Sequence, residues 1–142
     1  MRGALVSVSI LAAVCVGGCD SGESESEHES ESANAPAAQT VRDFYDAANR
    51  SSGEDACALL TRRGVRSVVH VASRPACIRT IDAFDPGSFE SEEGDLVEIE
   101  GVDERGEGFD VDAVVKNRTA GTYSVVRRGG RLLIDAFKPE EG

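Results

Sequence analysis

The sequence predicts an α+β domain in which helices come first and an antiparallel sheet of four or more strands comes last. Two observations carry this. Between Val41 and Phe84 apolar residues recur at helical spacing, whereas after Asp95 they alternate with polar residues at a period of two. Glycine-containing segments then divide the second half into four short runs, the pattern of a meander. A chain of 142 residues is expected to form one domain, because a second would lack the residues for its own core.

Thr40-Val41-Arg42-Asp43 reads as an N-cap with an acidic residue at N3, and Val41, Phe44, Tyr45 and Ala48 then fall at i, i+3, i+4 and i+7. A first helix from Thr40 is expected. Ser52-Gly53-Glu54-Asp55 repeats the start signal, and Ala56, Leu59 and Leu60 give a second stripe that closes at Thr61-Arg62-Arg63-Gly64, with Gly64 read as the C′ glycine. Val65 to Ala72 fits a helix by spacing and a strand by its β-branched content; the alternatives stay open, with a short strand or irregular turn preferred. Pro75 suits the first turn of a third helix carrying Cys77, Ile78, Ile81 and Phe84 on one face, ended by Asp85-Pro86-Gly87 and followed by an acidic loop to Asp95.

In the second half, Val97 and Ile99 alternate with acids, and Phe109, Val111, Ala113 and Val115 alternate with Asp110, Asp112, Val114 and Lys116. Tyr123 and Val125 alternate with Ser124 and Val126, and Leu133 and Phe137 flank Asp135. The separators are Gly101 to Gly108, Asn117 to Gly121, and Gly129-Gly130, the last a suitable two-residue hairpin turn. On this alternation Asp110 and Asp112 belong to a solvated face opposite Phe109 and Val111. Asp135 shares a face with Leu133 and Phe137, which makes it the better candidate for a buried carboxylate.

Acidic residues outnumber basic ones 26 to 15, for a net charge of −11. That balance argues against sequence-independent binding of nucleic acid, which needs clustered Lys and Arg to meet phosphates. No Gly-x-Ser-x-Gly elbow, glycine-rich phosphate loop, His-Glu-x-x-His or CxxC pair is present, and no cofactor or metal is expected. Asn117-Arg118-Thr119 matches a glycosylation sequon. Arg62, Arg63 and Arg66, together with Arg127, Arg128 and Arg131, are candidates for a basic patch facing an anionic partner.

Arg2 precedes an apolar run from Ala4 to Val16, too short to span a bilayer of ~30 Å but suited to a signal-peptide core. The run ends in Val16-Gly17-Gly18-Cys19, which resembles a bacterial lipobox. That resemblance implies cleavage before Cys19, diacylglyceryl modification of its thiol, and an extracytoplasmic, membrane-anchored chain; two acyl chains give the stable anchoring that one does not. From Asp20 to Gln39 no large apolar side chain occurs, so this stretch is expected to be a disordered acidic tether with an r.m.s. span of about 25 Å. The expected organisation is therefore a signal peptide over 1–18, the lipidated Cys19 and tether over 19–39, a domain over 40–138 and a tail over 139–142. With Cys15 removed in the signal and Cys19 acylated, Cys57 and Cys77 are the two thiols left, and an extracytoplasmic location permits a disulfide between them.

Val41-Arg42-Asp43-Phe44-Tyr45-Asp46-Ala47, Ala56-Cys57-Ala58-Leu59-Leu60-Thr61, Pro75-Ala76-Cys77 and Gly130-Arg131-Leu132-Leu133-Ile134-Asp135 together resemble bacterial lipoproteins of the nuclear transport factor 2-like superfamily. The resemblance implies helices packed into the concave side of a curved sheet, forming a cone that often holds a pocket. Enzymes of the ketosteroid-isomerase or polyketide-cyclase type in that superfamily use an Asp base or a His-Asp pair inside the cone, often with a Tyr donor. No catalytic motif matches residue by residue, so the expectation is a lipid-anchored binding or docking module without catalysis, taking a small hydrophobic ligand or an envelope protein. The alternative is an isomerase- or cyclase-type enzyme with Asp135 or His70 as base and Tyr45 or Tyr123 as hydroxyl donor.

Overall fold

The computed structural model describes residues 25–86, 95–116 and 118–142, with side chains from residue 34 onward. The expected signal peptide, Cys19, Asn117 and most of the acidic loop after Pro86 lie outside the described residues. Four α-helices are described, α1 (Glu25–Asn49), α2 (Gly53–Ala58), α3 (Arg62–Gly64) and α4 (Arg74–Asp82), with a π-helical turn at Val65–Val69 continuing α3. Four strands follow, β1 (Val97–Arg105), β2 (Gly108–Val115), β3 (Gly121–Arg128) and β4 (Arg131–Pro139). They form an antiparallel sheet in the order β1-β2-β3-β4. The α+β class and the meander are as the sequence predicts.

The first helix does not start at Thr40. It runs from Glu25, through part of the segment expected to be a disordered tether, and buries Ala37 and Ala38. Area is the wrong criterion for that stretch: alanine has the highest helix propensity, and its small side chain lets backbones approach closely. Thr40 lies inside the helix, where its hydroxyl donates back to the Pro36 carbonyl at 2.9 Å rather than capping. The expected apolar face holds. Val41, Phe44, Tyr45 and Ala48 are all buried, and α1 lies across all four strands.

Helix α2 stops at Ala58, earlier than its stripe suggests, because the chain at Leu60 pairs with β4 instead. Leu60 and Ile134 form a parallel bridge in which Thr61 N–H donates to Ile134 O (3.0 Å) and Ile134 N–H to Leu59 O (2.8 Å). Thr61 then caps a new helical segment, its hydroxyl accepting from Gly64 N–H at 3.0 Å. Gly64 is consequently not a C′ glycine. It sits in helical conformation against the Ile134 carbonyl, where a Cβ would lie 2.2 Å from the oxygen. The ambiguous stretch from Val65 is helical, not a strand. It buries Val65 and Val68, and Ser67 hydrogen-bonds the Phe137 backbone, so this segment covers the free edge of β4.

Helix α4 follows its sequence signals. Ser73 caps it by accepting from Ala76 N–H, Pro75 lies in the first turn, and Cys77 and Ile81 are buried. A disulfide joins Cys57 of α2 to Cys77 of α4, with Cα atoms 6.2 Å apart. Gly53 N–H donates to the Asp82 carboxylate at 2.7 Å, closing the other end of the same helix pair.

On the sheet, β2 and β3 alternate as predicted, with Phe109, Val111, Ala113, Val115, Tyr123 and Val125 buried under the helices. The outer strands depart from strict alternation at bulges. Ile99 pairs with Ala113 and Gly101 with Asp112, leaving Glu100 as the extra residue; β1 therefore continues to Arg105 with Val102 facing inward, where a connection from Gly101 was expected. In β4 the extra residue is Asp135, between Ile134 (opposite Val125) and Ala136 (opposite Ser124). This phase shift turns Ile134 and Phe137 inward together and puts Leu133 on the outer face. The expectation that Leu133, Asp135 and Phe137 share a face is thereby corrected. Gly129 and Gly130, at φ 57° and 77°, supply the two left-handed positions of the final hairpin.

Candidate functional site

Tyr45 and Tyr123 meet at the centre of the core. Helical spacing on α1 turns Tyr45 toward the sheet, and strand alternation on β3 turns Tyr123 toward the helices. Their hydroxyls are 2.6 Å apart, one donating to the other, and the rings stand edge to face with centroids 6.0 Å apart. Phe44 packs edge-on against Tyr45 at 4.9 Å and Phe137 lies against Tyr123 at 4.7 Å, so the pair sits in an aromatic cluster. The β4 bulge makes this possible, because without it Phe137 would point to solvent.

An open cleft of about 630 Å³ reaches this pair, lined by Tyr45, Val68, His70, Arg118, Thr119, Tyr123 and Phe137. A smaller pocket of about 90 Å³ shares Tyr45, Val68, His70 and Arg118 with it and adds Phe44, Ile81 and Phe84. The Arg118 guanidinium lies 5.9 Å from the Tyr45 ring centroid and hydrogen-bonds the Tyr45 side chain. His70 closes the π-helical turn in a left-handed conformation, φ 61° and ψ 34°, with its side chain exposed at the rim.

Burial dominates the chemistry of the pair. It raises both phenol pKa values, with the Tyr123 hydroxyl and Arg118 partly offsetting the rise at Tyr45. At Tyr123 burial is reinforced by Tyr45 beside it, and Arg118 opposes only in part. Both groups are thus neutral at physiological pH. Each hydroxyl can donate one hydrogen bond and accept others, and the contact between them uses one of the two protons. Arg118 adds charged donors at the mouth. The site can hold a hydrogen-bond acceptor on an apolar body.

The raised values also set an alkaline limit. Above pH 10 unfolded tyrosine binds fewer protons than the folded pair, so stability falls as pH rises past the ordinary phenol value. The chain has two tyrosines and no tryptophan, so tyrosinate absorbance reports on this pair alone. We expect it to appear only together with loss of far-ultraviolet helical signal. A smooth titration near pH 10 in a chain that stays folded would contradict the buried geometry.

The carboxylate candidates lie elsewhere. Asp135, at its bulge, accepts from the Thr61 hydroxyl (2.7 Å) and pairs with Arg63 (3.1 Å), which ties β4 to the start of α3. It does not line the tyrosine cleft. Asp110 and Asp112 lie on the face away from the helices, accepting from Ser124 (3.2 Å) and Thr122 (2.6 Å), with Arg105 beside Asp110 at 3.4 Å. Of the residues singled out from sequence, Tyr45, Tyr123 and His70 come together. The basic residues read as one patch are divided: Arg63 pairs with Asp135, Arg127 lies 5.8 Å from the Phe109 ring centroid, and Arg62 and Arg66 line a different cleft. Sequence reasoning missed Arg118, read only as part of a sequon; its signal was a basic residue in the short connection beside the tyrosine strand. Among the described residues no group of three or more His, Cys, Asp or Glu is placed to hold a metal. No family model matches the chain, and neither a curated protein nor a solved structure matches it.

Proposed function

We propose that this chain is a lipid-anchored extracytoplasmic binding module whose cleft takes a small hydrophobic molecule bearing a carbonyl or similar acceptor, without chemical turnover. The observation that carries this is the neutral Tyr45–Tyr123 pair at a cleft where Val68 and Phe137 supply apolar surface and Arg118 supplies charged donors. Neutral phenols donate hydrogen bonds but do not abstract protons at pH 7, and the carboxylate best suited to act as a base, Asp135, is engaged by Thr61 and Arg63. The finer fold reading, a nuclear transport factor 2-like cone, draws support from helices on one face of a sheet whose outer strands are bent by bulges. The Cys57–Cys77 disulfide suits an oxidising compartment.

Tyrosine emission tests the cleft directly, since both tyrosines line it. Titration with a panel of aryl ketones is expected to change the emission saturably, and Arg118→Ala to weaken the best binder about tenfold. A panel that leaves the emission unchanged would sink the assignment. Turnover of an enolisable ketone that collapses in His70→Ala would favour the enzymatic alternative. For the anchor, Cys19→Ala is expected to leave the membrane fraction without a processed, acylated form, and mass spectrometry of the mature N-terminus decides it.

A further inference from the structure

A second cleft, of about 520 Å³, lies between the α3 segment and the start of α4. Its walls are Leu60, Val65 and Ala72, and Arg62, Arg66 and Arg74 stand around it, all three exposed. Arg62 and Arg66 are four residues apart on one continuous helical segment, and Arg74 opens α4. This convergence has no internal explanation. Among the described residues the ion pairs are Arg63 with Asp135 and Arg105 with Asp110, and none of the three arginines joins either. In a chain of net charge −11, acids able to neutralise them are plentiful. Arg62 and Arg74 also occupy first turns, where the helix macrodipole disfavours a cation. The α4 terminus is already capped by Ser73, so the arginine side chains are the donors on offer.

We propose that this cleft is a binding site for a phosphate monoester carrying an apolar group. Guanidinium forks match phosphate oxygens two at a time, and a phosphate presents three outward oxygens to three arginines where a carboxylate presents two. The ester substituent then lies on Leu60, Val65 and Ala72. The same chemistry occurs in a soluble aryl phosphate and in the headgroup of phosphatidic acid. The site is separate from the tyrosine cleft and does not depend on the reading given to it.

Calorimetry on the full chain in detergent, at low ionic strength, tests this with three probes: inorganic phosphate, phenyl phosphate and dihexanoyl phosphatidic acid. At least one ester is expected to bind saturably and about tenfold more tightly than inorganic phosphate. Whether phenyl phosphate or the short-chain lipid binds better identifies the source of the ligand. Arg62→Ala and Arg74→Ala are each expected to weaken that ester about tenfold, with Arg127→Ala, outside the cleft, leaving it unchanged. The proposal is overturned if neither ester binds saturably, or if Arg62→Ala/Arg74→Ala retains the affinity while circular dichroism shows the native fold.

Discussion

Loss of the Cys57–Cys77 disulfide is expected to lower the unfolding free energy by about 3 kcal/mol. The bond closes a loop with a sequence separation of 20 residues, and constraining such a loop in the unfolded chain accounts for that magnitude. The local architecture raises the stakes. Helix α2 has six residues, too few to persist alone, so its structure depends on what it packs against. Its contacts are α1 and α4, and Cys57 and Cys77 are both fully buried at the α2–α4 contact. Reduction leaves two thiols that pack as small apolar groups, whereas Cys57→Ala/Cys77→Ala adds a void, so the double variant is expected to lose somewhat more than the reduced chain. Urea unfolding of oxidised, reduced and double-variant protein measures all three. Equal midpoints would show that the bond constrains nothing the helices do not already hold.

Periodicity exposed those features that depend on one segment at a time. Alternation on β2 and β3, the apolar face of α1, the Ser73–Pro75 start of α4 and the Gly129-Gly130 hairpin are each written in a few consecutive residues, and each is present. The departures occur where distant segments meet. Nothing near Leu60 announces that it abandons a helix to pair with Ile134, because the stabilising partner lies far along the chain. The bulges at Glu100 and Asp135 are likewise properties of pairing rather than of either strand, and the second inverted the expected facing of Leu133 and Ile134. The candidate site shows the same division. Both tyrosines were legible as inward-facing, but their hydrogen bond joins residues 78 apart, and the place of Arg118 beside them follows from how β2 returns into β3.

Gly64→Ala separates local from tertiary reasoning by the sign of its effect. Gly64 has φ −58° and ψ −42°, a helical conformation in which alanine is favoured over glycine by about 1 kcal/mol. Propensity alone therefore predicts stabilisation. The added Cβ, however, would lie 2.2 Å from the Ile134 carbonyl oxygen and 3.1 Å from its carbon. These are backbone atoms of a central contact, and no side-chain rotation relieves them. Helix α3 would have to withdraw from β4, and three interactions stretch when it does: Thr61 N–H to Ile134 O, Ile134 N–H to Leu59 O, and the Thr61 hydroxyl to Asp135. Two weakened backbone hydrogen bonds at about 1 kcal/mol each, with overpacking of 1–3 kcal/mol, outweigh the propensity gain. A net loss of about 3 kcal/mol is expected, a fall in Tm of roughly 12–24 °C for a domain near 100 residues. The comparison is Gly129→Ala, whose Cβ meets nothing within 4 Å but whose φ of 57° costs an L-residue about 1–2 kcal/mol. If Gly64→Ala melts above the parent chain, α3 does not approach β4 this closely, and the Thr61–Asp135 hydrogen bond across that contact falls with it.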